Sequence, residues 1–267
     1  MRSRDAFLML RTGFARQRNI FRALLIRDLM TRFRREGLGF AWLVLEPALL
    51  IVIVIGIWSV QYGSTSHGVG IVPMVLTGYG FLTVWRHILG RSNFALRGSI
   101  DLKYHREVQY GDIILSRYLL EIGGTFLAFW TVYLACMLLG MTEPIQDLFT
   151  FCLAWVLMAA FSIGFGLNIV AITELWETSE RFIPPLMYAT LPFTGVFFLV
   201  EWLPQRAQDV VVWSPLVNAV ELLRAGYWGQ SFVSHADIGY LTRASIITLA
   251  IGLGLMEVAK RRIKSPS

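Results

Sequence analysis

The side chains that could catalyse a reaction or bind a metal are few and widely separated in this chain. Its histidines lack the H-E-x-x-H spacing that binds zinc; they are His67, His87, His105 and His235. No G-x-S-x-G nucleophile elbow and no G-x-x-x-x-G-K-[ST] phosphate loop occur in the sequence. The pattern disfavours zinc chemistry and predicts that the chain itself holds no nucleotide, metal or other cofactor.

The acidic residues and histidine within the long apolar segments lie near the ends of those segments. They are Glu46, His87, Glu121 and Glu257. Carriers driven by a proton or ion gradient place ionisable groups near the middle of the membrane. A gradient-driven flippase is therefore disfavoured.

These residues are carried by a strongly apolar chain. Its 267 residues are 55% hydrophobic and 16% charged, whereas soluble domains are about 25% charged. A helix needs about 20 apolar residues to cross a bilayer. We predict an all-α integral membrane protein with six transmembrane helices, at residues 38–61, 69–86, 116–140, 149–172, 182–200 and 239–258.

The basic residues indicate the orientation of these spans. Of the 24 lysines and arginines, ten lie in residues 1–37, six in residues 86–117 and four in residues 260–264. Short cytoplasmic loops collect such residues, so both termini are predicted to be cytoplasmic. The net charge of +6 reflects this sidedness and gives no reason to expect a nucleic-acid partner.

The cytoplasmic ends of the chain are distinct from its transmembrane domain, residues 38–258. Residues 1–37 are predicted to hold an amphipathic interface helix, because Phe21, Leu25 and Leu29 recur four residues apart. Residues 259–267 form a basic cytoplasmic C-terminus.

Two connecting segments are too long for simple turns. Residues 86–115 interleave apolar and charged side chains, which predicts a short cytoplasmic surface helix that another protein could contact. Residues 201–232 contain an apolar stretch that is broken by Pro215 and too short to cross, so this segment is predicted to dip into the outer face and return.

Three stretches of the sequence resemble the membrane subunits of type-2 ABC exporters. They are IRDLMTRFRREGLGFAWLVLEPALL at 26–50, LKYHREVQYGDIILSRYLLE at 102–121 and SPLVNAVELLRAGYWG at 214–229. The first is shared with exporters of O-antigen and teichoic acid. By contrast, HREVQYGDIILSRYLLE at 105–121 and EWLPQRAQDVVVWSPLVNAVELLRAGYWG at 201–229 are closer to permeases that export capsular polysaccharide from Gram-negative bacteria. The resemblance covers almost the whole chain.

This resemblance implies a homodimer in the bacterial inner membrane, with a coupling helix between spans two and three and re-entrant helices between spans five and six. A separate dimeric cytoplasmic ABC ATPase would bind ATP and Mg, so the chain would not be an enzyme by itself. The cargo would be a lipid-linked polysaccharide, with periplasmic and outer-membrane export components and membrane lipids as further partners.

The resemblance also assigns candidate site residues. Contacts with the ATPase are expected within residues 93–107, from Arg97, Asp101, Lys103, His105 and Arg106. The gate where the interface helix meets the first span would contain Arg27, Arg32, Arg34, Arg35 and Glu46.

Aromatic side chains are the candidates for lining the path of the polymer. Sugar rings present apolar C–H faces that stack on aromatic rings, and a sliding polymer needs many weak, interchangeable contacts. The candidates are Trp42, Trp58, Tyr79, Phe81, Trp85, Tyr188, Phe193 and Phe197.

Other readings of the sequence keep the membrane location and change the activity. The same class of permease could export O-antigen, teichoic acid, or a small lipid or drug. A membrane enzyme that acts on lipid-linked sugars would need a polar catalytic cluster at one membrane face, and only the scattered charges near residues 101–112 could supply it.

Overall fold

Helices dominate the computed structural model of the chain, which describes residues 17–30, 41–66, 68–93, 95 and 109–264. Four of them are long and apolar enough to cross a membrane: Ala41–Tyr62, Tyr110–Leu138, Leu148–Leu175 and Ile238–Arg261. They coincide with the first, third, fourth and sixth predicted spans. The chain is therefore a helical, multi-pass membrane protein.

The first half of the chain contains the following elements. Helix α1 covers residues 17–30, and α2 covers Ala41–Tyr62 with Pro47 inside it. A two-stranded antiparallel hairpin follows, from β1 (Thr65–Ser66) to β2 (Val69–Gly70). The predicted second span lies in a helical run of three consecutive parts: α3 (Ile71–Val75), a π-helix (Leu76–Gly80) and α4 (Phe81–Ser92).

Helices α5 (Tyr110–Leu138) and α6 (Leu148–Leu175) begin with side-chain caps. Gln109 and Asp112 form a reciprocal capping box at the start of α5. Asp147 caps α6 by accepting hydrogen bonds from the backbone of Phe149 and Thr150. The hydrogen bond that the Thr150 hydroxyl donates to Asp147, together with these backbone bonds, holds the pKa of the Asp147 carboxyl below its ordinary value.

No single helix covers the predicted span 182–200. The structure instead has a 3-10 helix (Glu177–Phe182), the helix α7 (Ile183–Ala189), and two further 3-10 turns (Leu191–Phe193 and Val200–Trp202). Proline lacks the N–H that a helix interior needs, and Pro192 lies just after the end of α7. Gly195 then adopts a φ of 76°, outside the right-handed helical region. The number of six crossings stays a prediction.

Short helices also make up the segment before the last span. They are α8 (Gln205–Val211) and α9 (Pro215–Trp228), followed by a 3-10 turn (Gly229–Ser231). The long helix α10 (Ile238–Lys264) is the last predicted span. Ser214 caps α9 and Pro215 occupies its first turn, where a missing N–H costs nothing. The interruption expected at Pro215 is present; entry of α8 and α9 into the membrane stays a prediction.

Helix α6 lies at the centre of the fold and packs against α4, α9 and α10. Aromatic rings fill the space around Trp155 of α6: its ring lies 5.1 Å from those of Phe81 and Phe126, with the ring planes nearly perpendicular. Edge-to-face pairs of this kind add to the stabilisation from burial. These rings pack α4 and α5 against α6.

Candidate functional site

A buried carboxylate joins α4 to α5 near the segment that was predicted to contact an ATPase. Glu121 of α5 has 3% of its side chain exposed. Arg91 Nε of α4 donates a hydrogen bond to Glu121 Oε1 at 2.8 Å, and His87 Nδ1 lies 2.9 Å from Oε2. Burial of a carboxylate is tolerated when it is paired and hydrogen-bonded, so these contacts tie the two helices together.

A second polar contact lies one turn along the same pair of helices. The hydroxyls of Ser92 and Tyr118 are 2.6 Å apart and both residues are buried. Gly166 of α6 passes directly beside them: a Cβ at this position would lie 2.6 Å from the Tyr118 hydroxyl. We call His87, Arg91, Ser92, Tyr118 and Glu121 the α4–α5 clamp. The clamp packs against α6 at Gly166, where there is no side chain in the way.

Helix α1 is attached to the start of α5 beside this clamp. Arg117 Nε lies 3.8 Å from Asp28 Oδ2, and the Ser116 hydroxyl donates a hydrogen bond to the same oxygen at 3.5 Å. Gln17 Nε2 donates to Asp112 Oδ1 at 2.5 Å. The predicted interface helix therefore contacts the α5 end of the segment that joins α4 to α5.

The α4 end of that joining segment is held by two side-chain contacts. Arg117 donates a hydrogen bond to the carbonyl of Ala95. Asn93 Nδ2 donates to the carbonyl of Glu180 at 3.2 Å, in the 3-10 helix that precedes α7. Residues 93–95 are therefore tied to α5 and to the 3-10 helix that precedes α7.

The structure describes part of the predicted ATPase contact and gate. All five coupling candidates, Arg97, Asp101, Lys103, His105 and Arg106, lie outside the described residues, as do Arg32, Arg34 and Arg35. Arg27 donates to the carboxylate of Asp28, next to the contact between α1 and α5. Glu46 is half-buried on α2. Their roles in a gate stay predictions.

The candidate channel residues divide by exposure. Phe81 and Trp85 are buried inside the chain, with at most 2% of their surface exposed. Tyr188 and Phe193 are the most exposed of the set, at 65% and 63%. Trp58 stacks on Phe197 with ring centroids 5.8 Å apart, whereas Trp42 and Tyr79 are half-buried. Their assignment to a channel stays a prediction.

Sequence reasoning missed an ion pair inside α9. Arg224 is fully buried and donates hydrogen bonds to the carbonyls of Gly195 and Phe198 at 2.9 and 2.8 Å. Its guanidinium lies 3.7 Å from the buried Glu221. Burial lowers the pKa of Arg224 to about 10, so the group stays charged at neutral pH. The spacing of Glu221 and Arg224, three residues apart in an apolar helix, was the available sequence signal.

Arg224 and the loop that it holds lie against the π-helix between α3 and α4. At Gly78, within the π-helix, a Cβ would lie 2.9 Å from the Val196 carbonyl and 3.3 Å from Arg224 Nη2. Because the π turn is wide and Gly78 has no side chain, the loop whose carbonyls accept hydrogen bonds from Arg224 can lie close to this turn. This contact fixes the segment after α7 against the membrane helices.

Comparison with known proteins identifies the family. Residues 19–228 match the family described as ABC-2 type transporter. The chain belongs to this family. The matched region runs from α1 to the end of α9 and so contains both the α4–α5 clamp and the Arg224 ion pair.

Relatives of this ABC-2 transporter chain are named for polysaccharide export or transport. The capsule polysaccharide export inner-membrane protein CtrC of Neisseria meningitidis serogroup B is 33% identical, and BexB of Haemophilus influenzae with the same description is 31% identical; each alignment covers 92% of both chains. The polysialic acid transport protein KpsM of Escherichia coli is 28% identical over 92% of this chain and 96% of its own.

Proposed function

We propose that this chain is the inner-membrane permease subunit of an ATP-driven exporter that moves lipid-linked capsular polysaccharide across the membrane. The observation that carries the proposal is the alignment over 92% of both chains with relatives named as capsule polysaccharide export inner-membrane proteins. O-antigen, teichoic acid and small lipids are less well supported as the cargo, because none of the reported relatives is named for them.

The working unit would be a homodimer of this permease with a dimeric cytoplasmic ATPase. The family is one of ABC-type transporters, and this sequence has no phosphate loop of its own. ATP and Mg would therefore bind to the partner. Residues 93–107, with Arg97 to Arg106 among them, would be the surface that the ATPase contacts.

The contacts around the α4–α5 clamp suggest how a push from the ATPase would spread. Closure of the ATPase pair would move the segment between α4 and α5. Arg117 would transmit this movement to Asp28 on α1, and Asn93 would transmit it to the turn before α7. The buried pairing of Glu121 with Arg91 and His87 would make α4 and α5 move as one body.

Membrane topology follows the same proposal. The four long apolar helices would each cross the membrane. The run from α3 to α4 and the short helices near α7 would form the other two crossings. Both termini would be cytoplasmic, because the basic residues collect beside them. The polymer would slide along exposed aromatic rings such as Tyr188 and Phe193.

Deletion and complementation test the cargo. Cells that lack the gene should have no surface capsule and should accumulate the lipid-linked polymer inside, and the wild-type chain should restore the surface polymer. Analysis of the repeat unit of the trapped polymer identifies the cargo. A surface capsule that persists unchanged in the deletion strain, with another glycan trapped inside, would refute capsule export.

Purification of the tagged permease tests the ATPase partner. An ATPase subunit should copurify at one copy per permease and be lost when residues 97–106 are replaced by a Gly/Ser sequence of equal length. Recovery of the permease without any ATPase, or unchanged copurification after the replacement, would contradict this part of the proposal.

A further inference from the structure

Two adjoining cavities lie at the end of the molecule opposite the α4–α5 clamp. The first, of about 530 Å³, lies between the β1–β2 hairpin and the turn after α5. The second, of about 790 Å³, lies between the start of α6 and the turn after α9. Both are lined by Glu143, Trp228 and Ser231, so they lie side by side, and we call them together the outer groove.

The position of the outer groove follows from the length of α5. This helix has 29 residues and is therefore about 44 Å long at 1.5 Å per residue. The α4–α5 clamp lies in its first half, and the groove lies beyond its last residue. With the clamp at the cytoplasmic side, as proposed, the groove opens on the side where an exported polymer emerges.

An aromatic wall runs through the outer groove. Trp228 lines both cavities and is held by its neighbours. Its ring lies 5.2 Å from that of Tyr227, nearly perpendicular, and 5.4 Å from that of Phe232. Trp202 also lines the first cavity. Aromatic faces that are fixed before a ligand arrives suit the apolar C–H faces of sugar rings, since little side-chain freedom is lost on binding.

Polar groups beside the aromatic wall are ready to bind a ligand. The side chains of Glu143 and Gln230 are exposed and make no hydrogen bond or ion pair with the rest of the described chain. The Thr142 hydroxyl is buried and also has no hydrogen-bond partner among the described residues. Carboxylate, amide and hydroxyl groups together accept from and donate to sugar hydroxyls. A few polar groups on an aromatic surface are typical of small-ligand sites of this volume.

The charge of the outer groove limits which saccharide fits. Its charged lining residues are Glu143, Asp147 and Glu201, and within the described parts of the chain no lysine or arginine lines it. Carboxylates repel the carboxylate or phosphate groups of an acidic polymer. The described residues also contain no group of three metal-ligating side chains. An uncharged stretch of sugar is thus the ligand that this surface favours.

We propose that the outer groove is a saccharide-binding site that holds an uncharged stretch of the polymer as it leaves the permease. The proposal rests on the proposed function for the origin of the sugar, and on the aromatic and polar lining for its chemistry. Binding at this point would keep an emerging segment from sliding back when the ATPase resets.

Binding of defined oligosaccharides to the full-length permease tests this site. The probes are short oligosaccharides released by mild acid from the capsule of the producing cells, used either as released or with their carboxyl groups reduced to alcohols. Saturation-transfer NMR and quenching of tryptophan fluorescence report binding to the purified permease in nanodiscs. We expect the uncharged probe to bind saturably and more tightly than its charged form.

Paired variants locate the site. Glu143→Gln combined with Gln230→Ala should raise the dissociation constant of the uncharged probe about tenfold, through loss of hydrogen bonds that include one to a charged group. Asp209→Asn is the matched control, because Asp209 is exposed on α8 and does not line the groove. Both variants should remain monodisperse, since the altered side chains have no partners within the described structure.

Several results would overturn the proposal. They are absence of saturable binding, equal affinity in the double variant and the Asp209→Asn control, or preference for the charged probe. The double variant could also lose a copurifying envelope protein and still bind the oligosaccharide as before. That result would assign the groove to a protein partner and would reject the saccharide-binding site. These outcomes differ from failure of the proposed function, which appears in the deletion strain as capsule that no longer depends on this chain.

Discussion

Arg117 on α5 and Asp28 on α1 approach to 3.8 Å between Nε and Oδ2, with 22% and 13% of their side chains exposed. Because Arg117 also donates to the Ala95 carbonyl, one side chain contacts both α1 and the start of the segment that is proposed to contact the ATPase. Under the proposed function, a movement of this segment would reach α1 directly through Arg117.

Reversal of either charge should uncouple α1 from α5. Asp28→Arg and Arg117→Glu each replace an attraction by a repulsion at a partly buried contact, so capsule export should fall about tenfold or more. The double reversal should recover part of the lost export. Recovery would be incomplete, because the carboxylate that replaces the Arg117 guanidinium cannot donate to the Ala95 carbonyl. Surface polymer measured against the amount of permease in the membrane gives the result.

Arg22→Glu is the control for a reversed charge on the same helix, since Arg22 is exposed. It should leave export near the wild-type value. If both single reversals exported normally, or if the double variant were as poor as the worse single one, the Arg117–Asp28 contact would have no role in coupling.

Loss of the Glu121 charge should weaken the α4–α5 clamp. Glu121→Gln keeps the size of the side chain but leaves Arg91 without a charged partner at this position. The expected loss of stability is about 1–2 kcal/mol, because Arg91 is 44% exposed and solvent screens part of the interaction. The ATPase should still copurify, whereas export per bound ATPase should fall.

Glu257→Gln provides the comparison for this charge. Glu257 pairs with Lys260 and Arg261 on the exposed side of α10, with 57% of its own side chain in contact with solvent. Its loss should cost less than about 1 kcal/mol and should leave export unchanged. Equal thermal stability and equal export in the two variants would remove the clamp from the mechanism.

Helices that consist of long apolar segments could be predicted from the sequence. Ala41–Tyr62 and Leu148–Leu175 match predicted spans because hydropathy and length suffice to identify a helix that crosses a membrane. The segment after Phe182 could not be placed in this way. Its apolar composition resembles that of a span, but Pro192 and Gly195 interrupt the backbone, and hydropathy is blind to such interruptions.

The polar contacts were harder to predict than the helices. Glu121 and His87 were recognised as ionisable residues near the ends of spans, but their contact depends on how α4 and α5 pack. The pairing of Arg224 with carbonyls of residues 195–198 depends on the irregular loop itself, for which the sequence offers no periodic pattern. Such contacts arise from tertiary packing, which a single sequence does not reveal.

Replacement of the buried Arg224 should destabilise the region after α7. Arg224→Lys keeps the positive charge, but an ammonium group is a point donor and lacks the fork that reaches the carbonyls of Gly195 and Phe198 together. A loss of about 2–4 kcal/mol is expected for an unsatisfied, fully buried site. Thermal unfolding of the purified permease, followed by tryptophan fluorescence, measures it.

Arg206→Lys is the matched control, because Arg206 lies exposed on α8. Its unfolding temperature should stay within experimental error of the wild-type value. An equally small change for Arg224→Lys would show that its carbonyl contacts contribute little to the stability of the loop.

Two glycines of α10, two residues apart, should respond in opposite directions to alanine. A Cβ at Gly252 would lie 2.8 Å from Leu167 Cβ and 2.9 Å from the Gly164 carbonyl of α6, whereas a Cβ at Gly254 meets nothing within 4 Å. Close helix packing in membranes depends on such small residues.

Gly252→Ala must push α10 away from α6 and should cost about 1–3 kcal/mol. Gly254→Ala should be neutral or stabilise the helix by up to about 1 kcal/mol, because alanine has the higher helix propensity. The difference in unfolding temperature between the two variants measures the α6–α10 contact, since both change the chain by the same methyl group. Equal temperatures, or a lower one for Gly254→Ala, would mean that α10 does not pack on α6 through Gly252.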